Sequence, residues 1–236
     1  MRPNELQKGI SFVIFDTELT AWDGSNERGW RGYIPGTSRR EHREVIQIAA
    51  QEAWLSQNWN LSAGRSYRQL VRPWLNPQLS SYVTQLTNIT QSDIDRRGVD
   101  LLPSAVESFR SFVCHDDVGM KCVPMLSWGD DFAHFESNAR LQGRSLPREV
   151  QLLRAQTHDV REIFAAAGIN VTGWNSGTIH RHPLIGVQTA GHIHDAGWDT
   201  MSIMLALQTL LARHTIPVLA ALRKALVRPH ESSSHT

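Results

Sequence analysis

The sequence contains little cysteine and no long apolar run. Its 236 residues include only two cysteines, Cys114 and Cys122, too few for a disulfide framework or for a zinc site of the CxxC type. We therefore expect two reduced thiols in a cytoplasmic protein. The best candidate for a membrane span, residues 203–212, is interrupted by Gln208 and falls short of the roughly 18 residues required, so no membrane partner is expected. The apolar run at residues 10–15 is too short for the core of a signal peptide, which argues against secretion.

Lysine is also scarce, and the overall charge is nearly balanced. The chain has 24 Lys and Arg residues against 23 Asp and Glu, and only Lys8, Lys121 and Lys224 are lysines. Arginine suits bidentate contacts with phosphate, but a GC-rich genome produces the same bias. The net charge of +1 neither demands nor excludes a polyanionic ligand. With 41% hydrophobic residues the chain is too apolar to be disordered, and its length favours one compact domain.

The pattern of elements predicts an α/β fold in a single domain. Strand patterns lie at residues 10–16, 44–55, 66–72, 122–128 and 156–159. Helical patterns lie at residues 77–85, 90–97, 103–114, 131–143, 160–168, 195–214 and 217–227. This order predicts a mixed five-stranded sheet flanked by helices, with the first three strands in an antiparallel meander. The expected divisions are a polar lead-in at 1–9, the main domain at 10–214, a C-terminal helix at 215–228 and a disordered tail at 229–236.

The first acidic motif lies at the end of the buried strand pattern. Asp16 and Glu18 are two residues apart, so an extended chain projects both side chains to the same face. Two adjacent carboxylates repel each other, and a divalent cation relieves that repulsion. The alternative is a strand that ends in two solvent-exposed acids.

Two further motifs place acids where helices begin. Asp130 and Asp131 follow a strand and a glycine turn, and either one could instead be an ordinary helix N-cap. Asp199 lies in an otherwise apolar helical stretch, where a buried carboxylate needs a cation or an arginine. A salt bridge or an exposed stripe would also explain this residue. His192 and His194 both precede Asp199, and spacing alone does not choose between them.

Together these motifs predict a two-metal site. In sheets flanked by helices, functional sites gather where strands end and helices start. Four carboxylates could hold two Mg²⁺ or Mn²⁺ ions about 3.5–4 Å apart, which is the arrangement that clamps the attacking and leaving oxygens of a phosphoryl displacement. A histidine that titrates near neutrality could accept a proton from the attacking water.

The motifs resemble those of the DEDDh-type 3′–5′ exonucleases, in the superfamily of ribonuclease T and the polymerase proofreading subunits. The resemblance covers about residues 10–212 and is carried by the segments FVIFDTELTAW, REVIQIAAQEA, LVRPWLNPQLSSYVTQLTNITQSDID, SWGDDFAHF and HIHDAGWDTMSI. It implies a ribonuclease H-like fold. Within the family the chain is most similar to the small, stand-alone, bacterial RNA-trimming exonucleases. Asn88 stands where the family usually has glycine, and because asparagine tolerates a positive φ, the turn should be preserved.

The resemblance assigns a role to each candidate site residue. The implied metal ligands are Asp16, Glu18, Asp131 and Asp199. Asp131 would act on the second metal, and it is chosen over its neighbour because Phe135 then falls at an apolar position of the family. His194 would be the general base, because it is the histidine five positions before Asp199.

The resemblance also implies the reaction and its substrate. The chain would hydrolyse the terminal phosphodiester of single-stranded nucleic acid from the 3′ end and release nucleoside 5′-monophosphates, with RNA slightly favoured over DNA. Leu19 and Thr20 would pack against the terminal nucleotide, and the Thr20 hydroxyl or nearby backbone would meet its 3′-OH. Trp128 could stack on a base or pack in the core. The alternatives are a phosphodiesterase for short oligonucleotides or small nucleotides and a non-catalytic nucleic-acid-binding module.

Two other segments are candidates for contacts with a strand or a second chain. The loop at residues 26–43 combines arginines with Trp30 and Tyr33, which suits single-strand binding, although its acids partly cancel the charge and a solvated loop is the alternative. The arginines of this loop are Arg28, Arg31, Arg39, Arg40 and Arg43. Many relatives act as dimers, so residues 217–227 are a candidate homodimer interface, with coverage of their own core as the alternative. Five tryptophans are assigned to packing, namely Trp54, Trp59, Trp74, Trp174 and Trp198.

Overall fold

The structure, a computed structural model, describes residues 9–25, 42–114, 122–213 and 215–226. Its strands are β1 (Ile10–Leu19), β2 (Val45–Leu55), β3 (Leu61–Arg72), β4 (Val99–Asp100), β5 (Met125–Ser127) and β6 (Thr157–Asp159). Its helices are α1 (Ser81–Thr87), α2 (Gln91–Arg97), α3 (Val106–Val113), α4 (Phe132–Leu141), α5 (Arg148–Arg154), α6 (Val160–Ala166), α7 (Ala196–Arg213) and α8 (Thr215–Leu226). The expected lead-in, apart from residue 9, and the expected tail at 229–236 lie outside the described residues.

The described strands form one mixed sheet in the order β4-β3-β2-β1-β5-β6. The antiparallel meander of β1, β2 and β3 is confirmed, and β5 pairs in parallel with β1. The α/β class and the mixed sheet are therefore confirmed. The structure adds a sixth strand to the five expected ones, because β4 is only two residues long and leaves no pattern in the sequence.

β1 is buried on both faces, as its continuous apolar run predicts. Phe12 and Ile14 pack on one side of the sheet with residues of α6, α7 and α8, whereas Val13 and Phe15 pack on the other side with residues of α3, α4 and α5. This alternation follows from the two-residue period of a strand. The end of β1 is consequently covered by helices from two layers instead of reaching into solvent.

The segment between β3 and β4 is held by local hydrogen bonds over the end of β1. Asn88 ends α1 with φ 60°, so the expected positive φ at this position is confirmed. Thr90 begins α2 with a capping box, in which its hydroxyl accepts from the Asp93 N–H and the Asp93 carboxylate accepts from the Thr90 N–H. At the start of α1, the Ser80 hydroxyl donates to the carbonyl of Ala21, which ties this segment to the chain that leaves β1.

The expectation of two reduced thiols is wrong. Cys114 and Cys122 form a disulfide across an isolated antiparallel bridge, with their Cα atoms 3.9 Å apart. The physical reason is that the chain returns on itself after α3 and pairs these two residues, which a count of cysteines cannot reveal. Disulfides are rare in reducing compartments, so the two cysteines no longer argue for a cytoplasmic location. That location stays a prediction.

The C-terminal helix α8 covers the core of its own chain. Val218, Leu222 and Leu226 are buried against the cluster that includes α6 and α7. Ile216 points away from this cluster and is 82% exposed. In the described residues, α8 therefore covers the core of its own chain, which was the alternative to a dimer interface. A homodimer stays a prediction. None of the described helices is both long and apolar enough to cross a membrane.

Asn138 on α4 anchors the start of β2, and its loss is expected to destabilise the fold. Its buried side chain accepts from the Val45 N–H (2.7 Å) and donates to the Arg43 carbonyl (2.9 Å). Asn138→Ala leaves both backbone groups without these partners, at about 1–3 kcal/mol for each group, so we expect the free energy of unfolding to fall by about 2–4 kcal/mol. Urea denaturation measures the change. Ser111→Ala, which removes an exposed hydroxyl bonded to the Glu107 carbonyl, is the control and should change stability by less than about 0.5 kcal/mol; an equal loss in both variants would contradict the anchoring role.

Candidate active site

Asp16 and Glu18 lie side by side at the C-terminal end of β1. They pair with Ala49 and Gln47 of β2, two residues apart along the ladder. By strand alternation they continue the face of Ile14, which is the face that α7 covers. Both carboxylates are buried, so the alternative of two solvent-exposed acids does not hold.

The side chains of Asp131 and Asp130 point in different directions and have different partners. Gly129, with φ 85°, turns the chain between β5 and α4. Asp131 is buried at the start of α4 and accepts a hydrogen bond from Thr17 Oγ1 at 2.7 Å. Asp130 instead forms an ion pair with Arg154 on the outside (2.7 Å between Nη2 and Oδ2). Asp131 is therefore the acid that joins the end of β1.

Asp199 lies in the first turn of α7 and is held by a segment that precedes the helix. Its exposed fraction is only 3%. Ser176 Oγ donates to Asp199 Oδ2 at 2.9 Å. The backbone of Gly177 packs so closely that an added Cβ would overlap Asp199 Oδ1. The alternatives of an exposed stripe and of a salt bridge do not hold among the described residues.

His194 lies beside two of the predicted ligands, whereas His192 does not. Ligand atoms of Glu18, His194 and Asp199 all lie within 4.8 Å of one another. His194 has φ 69°, an uncommon left-handed conformation that turns its half-buried ring toward α7. His192 is exposed, with its Nε2 3.1 Å from the Leu86 carbonyl.

Residues of β2 and β3 hold the turn that carries His194, and none of them was identified from the sequence. Asp195 forms an ion pair with Arg68 (2.8 Å between Nη2 and Oδ1). Gln47 Oε1 accepts from the Ala196 N–H at 2.9 Å. These contacts join residues more than 120 positions apart in the chain, so local spacing carries no signal for them. Ser176 was missed for the same reason, since it lies in no motif.

Burial first, and repulsion from neighbouring acids second, raise the pKa of the acids in the cluster. The pKa values of Asp16 and Glu18 lie well above their ordinary range because of burial first and of neighbouring carboxylates second. Burial raises the pKa of Asp131 and of Asp199 to about 7, against hydrogen bonds that lower both values. The pKa of His194 is lowered, first by burial and then by His192. The protein alone therefore disfavours four charged carboxylates at this place.

The cluster fits divalent cations. Two buried oxygens, Asp131 Oδ2 and Asp199 Oδ1, have no hydrogen-bond partner among the described residues. A buried carboxylate oxygen without a partner is unfavourable unless a cation or a donor meets it. Carboxylate oxygens suit Mg²⁺ and Mn²⁺, and an imidazole nitrogen suits several transition metals. The described residues therefore bring carboxylate oxygens and an imidazole nitrogen together in a place where cations would remove the repulsion.

The predicted nucleotide contacts have structural partners of their own. Thr20 is buried, and its hydroxyl accepts from the Glu44 N–H (2.9 Å) and donates to the His42 carbonyl (3.3 Å). The hydroxyl and the backbone N–H of Thr20 are thus both engaged within the protein, and a contact of Thr20 with a 3′-OH stays a prediction. Leu19 is partly buried against the cluster of α3 and α4. Trp128 is half-buried against Phe164, with ring centroids 5.8 Å apart, so the described contact is packing.

Two of the five tryptophans assigned to packing have exposed side chains. Trp74 is 57% exposed and Trp54 is 43% exposed. Trp74 follows β3 in a loop that Glu44 holds, since the Glu44 carboxylate accepts from the Trp74 N–H at 2.6 Å. The ring of Trp74 is thus an exposed aromatic surface near the end of β1, and an aromatic residue after a proline gives no sign of this in the sequence.

The arginine-rich loop was expected to contact a strand, but most of it lies outside the described residues. This holds for Arg28, Trp30, Arg31, Tyr33, Arg39 and Arg40. Arg43 is described, and its Nη2 donates to the Ser25 carbonyl at 3.3 Å. The contact of this loop with substrate stays a prediction.

Comparisons with known proteins identify the fold. No family model and no curated protein matches the chain. Among solved structures, a 3′-exonuclease described in "3′-end specific recognition of histone mRNA stem-loop by 3′-exonuclease" matches with a TM-score of 0.65, 18% identity, 88% of this chain and 84% of its own. The nuclease domain of 3′hExo, a DEDDh family member, bound to rAMP, matches with a TM-score of 0.62, 19% identity, 87% of this chain and 94% of its own. The fold is that of the DEDDh 3′-exonucleases.

A third match extends the likeness to a larger enzyme. The E. coli ExoI–ssDNA complex in its zinc-bound form matches with a TM-score of 0.58 and 12% identity, over 89% of this chain and 42% of that chain. The ribonuclease H-like fold that the sequence motifs implied is therefore confirmed. At these identities the likeness establishes the fold alone, and the activity has to be argued from the site.

Proposed function

We propose that the chain is a metal-dependent 3′–5′ exonuclease that acts on single-stranded nucleic acid. The observation that carries this proposal is the buried cluster at the end of β1, in which acids from three elements lie close enough to raise one another's pKa values and a histidine lies beside two of them. Its members are Asp16, Glu18, Asp131, His194 and Asp199. The cluster lies in a fold shared with solved 3′-exonucleases, one of them in complex with single-stranded DNA and another with rAMP.

The carboxylates would hold two divalent cations, Mg²⁺ or Mn²⁺. Asp16, Glu18 and Asp199 would be direct ligands, and Asp131 would act on the second cation. When bound, the cations supply charge stabilisation at the attacking and leaving oxygens of the phosphodiester. Thr17 and Ser176 would keep two of the carboxylates oriented, because each donates a hydrogen bond to one carboxylate oxygen and leaves the other oxygen without a protein partner.

His194 would act as the general base. Its lowered pKa means that the neutral ring, which is the form that accepts a proton, prevails at neutral pH. The ion pair of Arg68 with Asp195 and the hydrogen bond from Ala196 to Gln47 hold the turn on either side of the imidazole. The ring would take a proton from the water as its oxygen forms a bond to phosphorus, and the bond from phosphorus to the 3′ oxygen of the preceding nucleotide would break. The products would be a nucleoside 5′-monophosphate and a strand one nucleotide shorter, whose 3′ oxygen takes up a proton to become a 3′-OH.

A digestion of matched single strands tests this proposal. RNA and DNA of one sequence, labelled at the 5′ end, are incubated with the protein in Mn²⁺, in Mg²⁺ or in EDTA. We expect a ladder that shortens from the 3′ end in either metal and no cleavage in EDTA, with RNA cut somewhat faster than DNA. Cleavage that persists in EDTA would contradict the metal-dependent mechanism.

Two controls separate the alternative functions. The p-nitrophenyl ester of thymidine 5′-monophosphate presents one phosphodiester without a strand. Turnover of this ester with no shortening of either strand would favour a small-nucleotide phosphodiesterase. Binding of the strands with no turnover of any substrate would favour a non-catalytic binding module.

A further inference from the structure

A surface cavity lies between the start of β2 and helix α4, beside the carboxylate cluster but outside it. Its volume is about 410 Å³. Its lining is His42, Arg43, His134, Ser137, Arg140 and Leu141. The lining thus combines two guanidinium groups, two imidazoles and a hydroxyl, and no carboxylate belongs to it among the described residues. We call this space the α4 cavity.

The two walls of the α4 cavity are fixed to each other by the protein. Asn138, on the buried side of α4, donates to the Arg43 carbonyl and accepts from the Val45 N–H. Its side chain therefore connects α4 to the backbone at the start of β2. The guanidinium of Arg43 donates to the Ser25 carbonyl, which restricts its direction. These hydrogen bonds are made within the protein itself, and they fix the backbone of both walls.

The charges around the α4 cavity favour an anion. The described lining holds two guanidinium groups, those of Arg43 and Arg140, and no carboxylate. An anion bound between these two arginines would form charge-assisted hydrogen bonds with them. Arginine forks match the oxygens of a phosphate group, and hydroxyl and imidazole groups add single hydrogen bonds.

The α4 cavity lies next to the proposed reaction centre. The His134 N–H donates to the Asp131 carbonyl at 3.1 Å, so His134 is about one helical turn, ~5.4 Å, beyond a proposed ligand. On the other wall, the His42 carbonyl accepts from Thr20 Oγ1, two residues after Glu18. A strand whose 3′ end lay at the carboxylates would therefore have its preceding backbone within reach of this cavity.

We propose that the α4 cavity binds a backbone phosphate of the single strand, upstream of the bond that is cut. The inference rests on the proposed function for the direction of the strand, and it adds a second anchor that a mononucleotide cannot reach. The site selects for length: the carboxylate cluster takes the terminal phosphodiester, and Arg43 and Arg140 take a phosphate nearer the 5′ end.

Strand binding without catalysis tests this assignment. The affinity of a fluorescein-labelled 12-nucleotide single strand is measured by anisotropy in EDTA between 50 and 300 mM KCl. For Arg43→Gln/Arg140→Gln we expect about tenfold weaker binding at 50 mM, and a slope of log K against log salt that is shallower by about 0.7 for each phosphate that the protein no longer neutralises. Arg140→Gln alone should weaken binding about threefold. Because Arg140 is exposed, this single variant should fold normally and keeps the test valid if the double variant misfolds.

The matched control removes two positive charges elsewhere. Arg223 and Lys224 are exposed on α8, which packs on the opposite face of the sheet from α4. Arg223→Gln/Lys224→Gln should keep the wild-type affinity and salt slope. Equal losses in both double variants would overturn the assignment, because only total charge would then matter.

A mononucleotide separates a strand phosphate from free phosphate as the ligand. Binding of adenosine 5′-monophosphate, measured by competition, should be the same in the Arg43→Gln/Arg140→Gln variant and in the wild type within about twofold. An equal loss for the mononucleotide and the strand would overturn the length-selective site. These binding measurements do not require hydrolysis. If the wild-type chain cut no strand, that result would contradict the proposed function, and the binding test of the α4 cavity could still be carried out.

Discussion

Replacing Asp199 with asparagine is expected to lower the rate of strand hydrolysis by about 10³-fold or more, and also to make the metal-free protein more stable at pH 8. Ligands of catalytic cations supply several kcal/mol of transition-state stabilisation, and each ~1.4 kcal/mol is tenfold in rate. Asparagine keeps an acceptor for the Ser176 hydroxyl, so packing at this place is preserved. What the variant removes is one negative charge from a buried group of four acids.

The gain in stability should depend on pH in a defined direction. Asp199 has an ordinary pKa of 3.8 and a pKa of about 7 in the folded protein. Between these values the folded state keeps a proton that the unfolded state releases, so the stability of the metal-free wild type falls as pH rises from about 4 to about 7. Above pH 7 the penalty is complete, and it amounts to a few kcal/mol at most for a shift of this size. Below pH 4 both states are protonated and the penalty vanishes.

Thermal denaturation at pH 5 and pH 8, with EDTA and with Mn²⁺, measures these effects. The metal-free wild type should be less stable at pH 8 than at pH 5, and the difference should be smaller for Asp199→Asn. Mn²⁺ should stabilise the wild type at pH 8 more than it stabilises the variant, because the variant has one ligand fewer. Asp130→Asn is the control: Asp130 is ion-paired with Arg154 outside the cluster, and Arg154 keeps its pKa low. If Asp130→Asn reduced the rate as much as Asp199→Asn does, or if Mn²⁺ stabilised wild type and Asp199→Asn equally, the assignment of Asp199 would be wrong.

The parts of the fold that could be predicted are those with a local signal. The buried run of β1 is continuous in the sequence because helices cover both faces of the strand. The turn at Asn88 could be anticipated because asparagine tolerates a left-handed backbone. The two acids of β1 could be placed on one face because the strand period is fixed by geometry.

The parts that could not be predicted depend on contacts between distant segments. Asp131 reaches the end of β1 through a hydrogen bond from Thr17, which is 114 positions away in the chain. Ser176 meets Asp199 from a loop without regular structure. The disulfide of Cys114 with Cys122 depends on how the chain turns back after α3, and two cysteines in a sequence carry no such information. Local patterns therefore indicate which residues have suitable chemistry, whereas the fold decides which of them meet.

The geometry at the start of α7 leads to a second large effect, since the two neighbouring histidines should behave differently. His194→Ala is expected to lower the hydrolysis rate by about 10²- to 10⁴-fold, the usual contribution of a general base. His192→Ala should keep the rate within a few-fold, because its ring lies at the Leu86 carbonyl and not at the carboxylates. Both variants remove one imidazole from the same turn, so each is the control for the other.

The role of His194 is resolved by the pH profile together with metal binding. Burial and His192 lower the pKa of His194, so the wild-type rate should rise with pH over a range below its ordinary pKa of 6.5, and this limb should be absent in His194→Ala. Isothermal titration with Mn²⁺ should give the same stoichiometry for His194→Ala as for the wild type if the ring moves a proton. Loss of one bound cation would instead make His194 a ligand, which its position within 4.8 Å of Glu18 and Asp199 would also permit. A larger rate loss in His192→Ala than in His194→Ala would show that the base had been assigned to the wrong histidine.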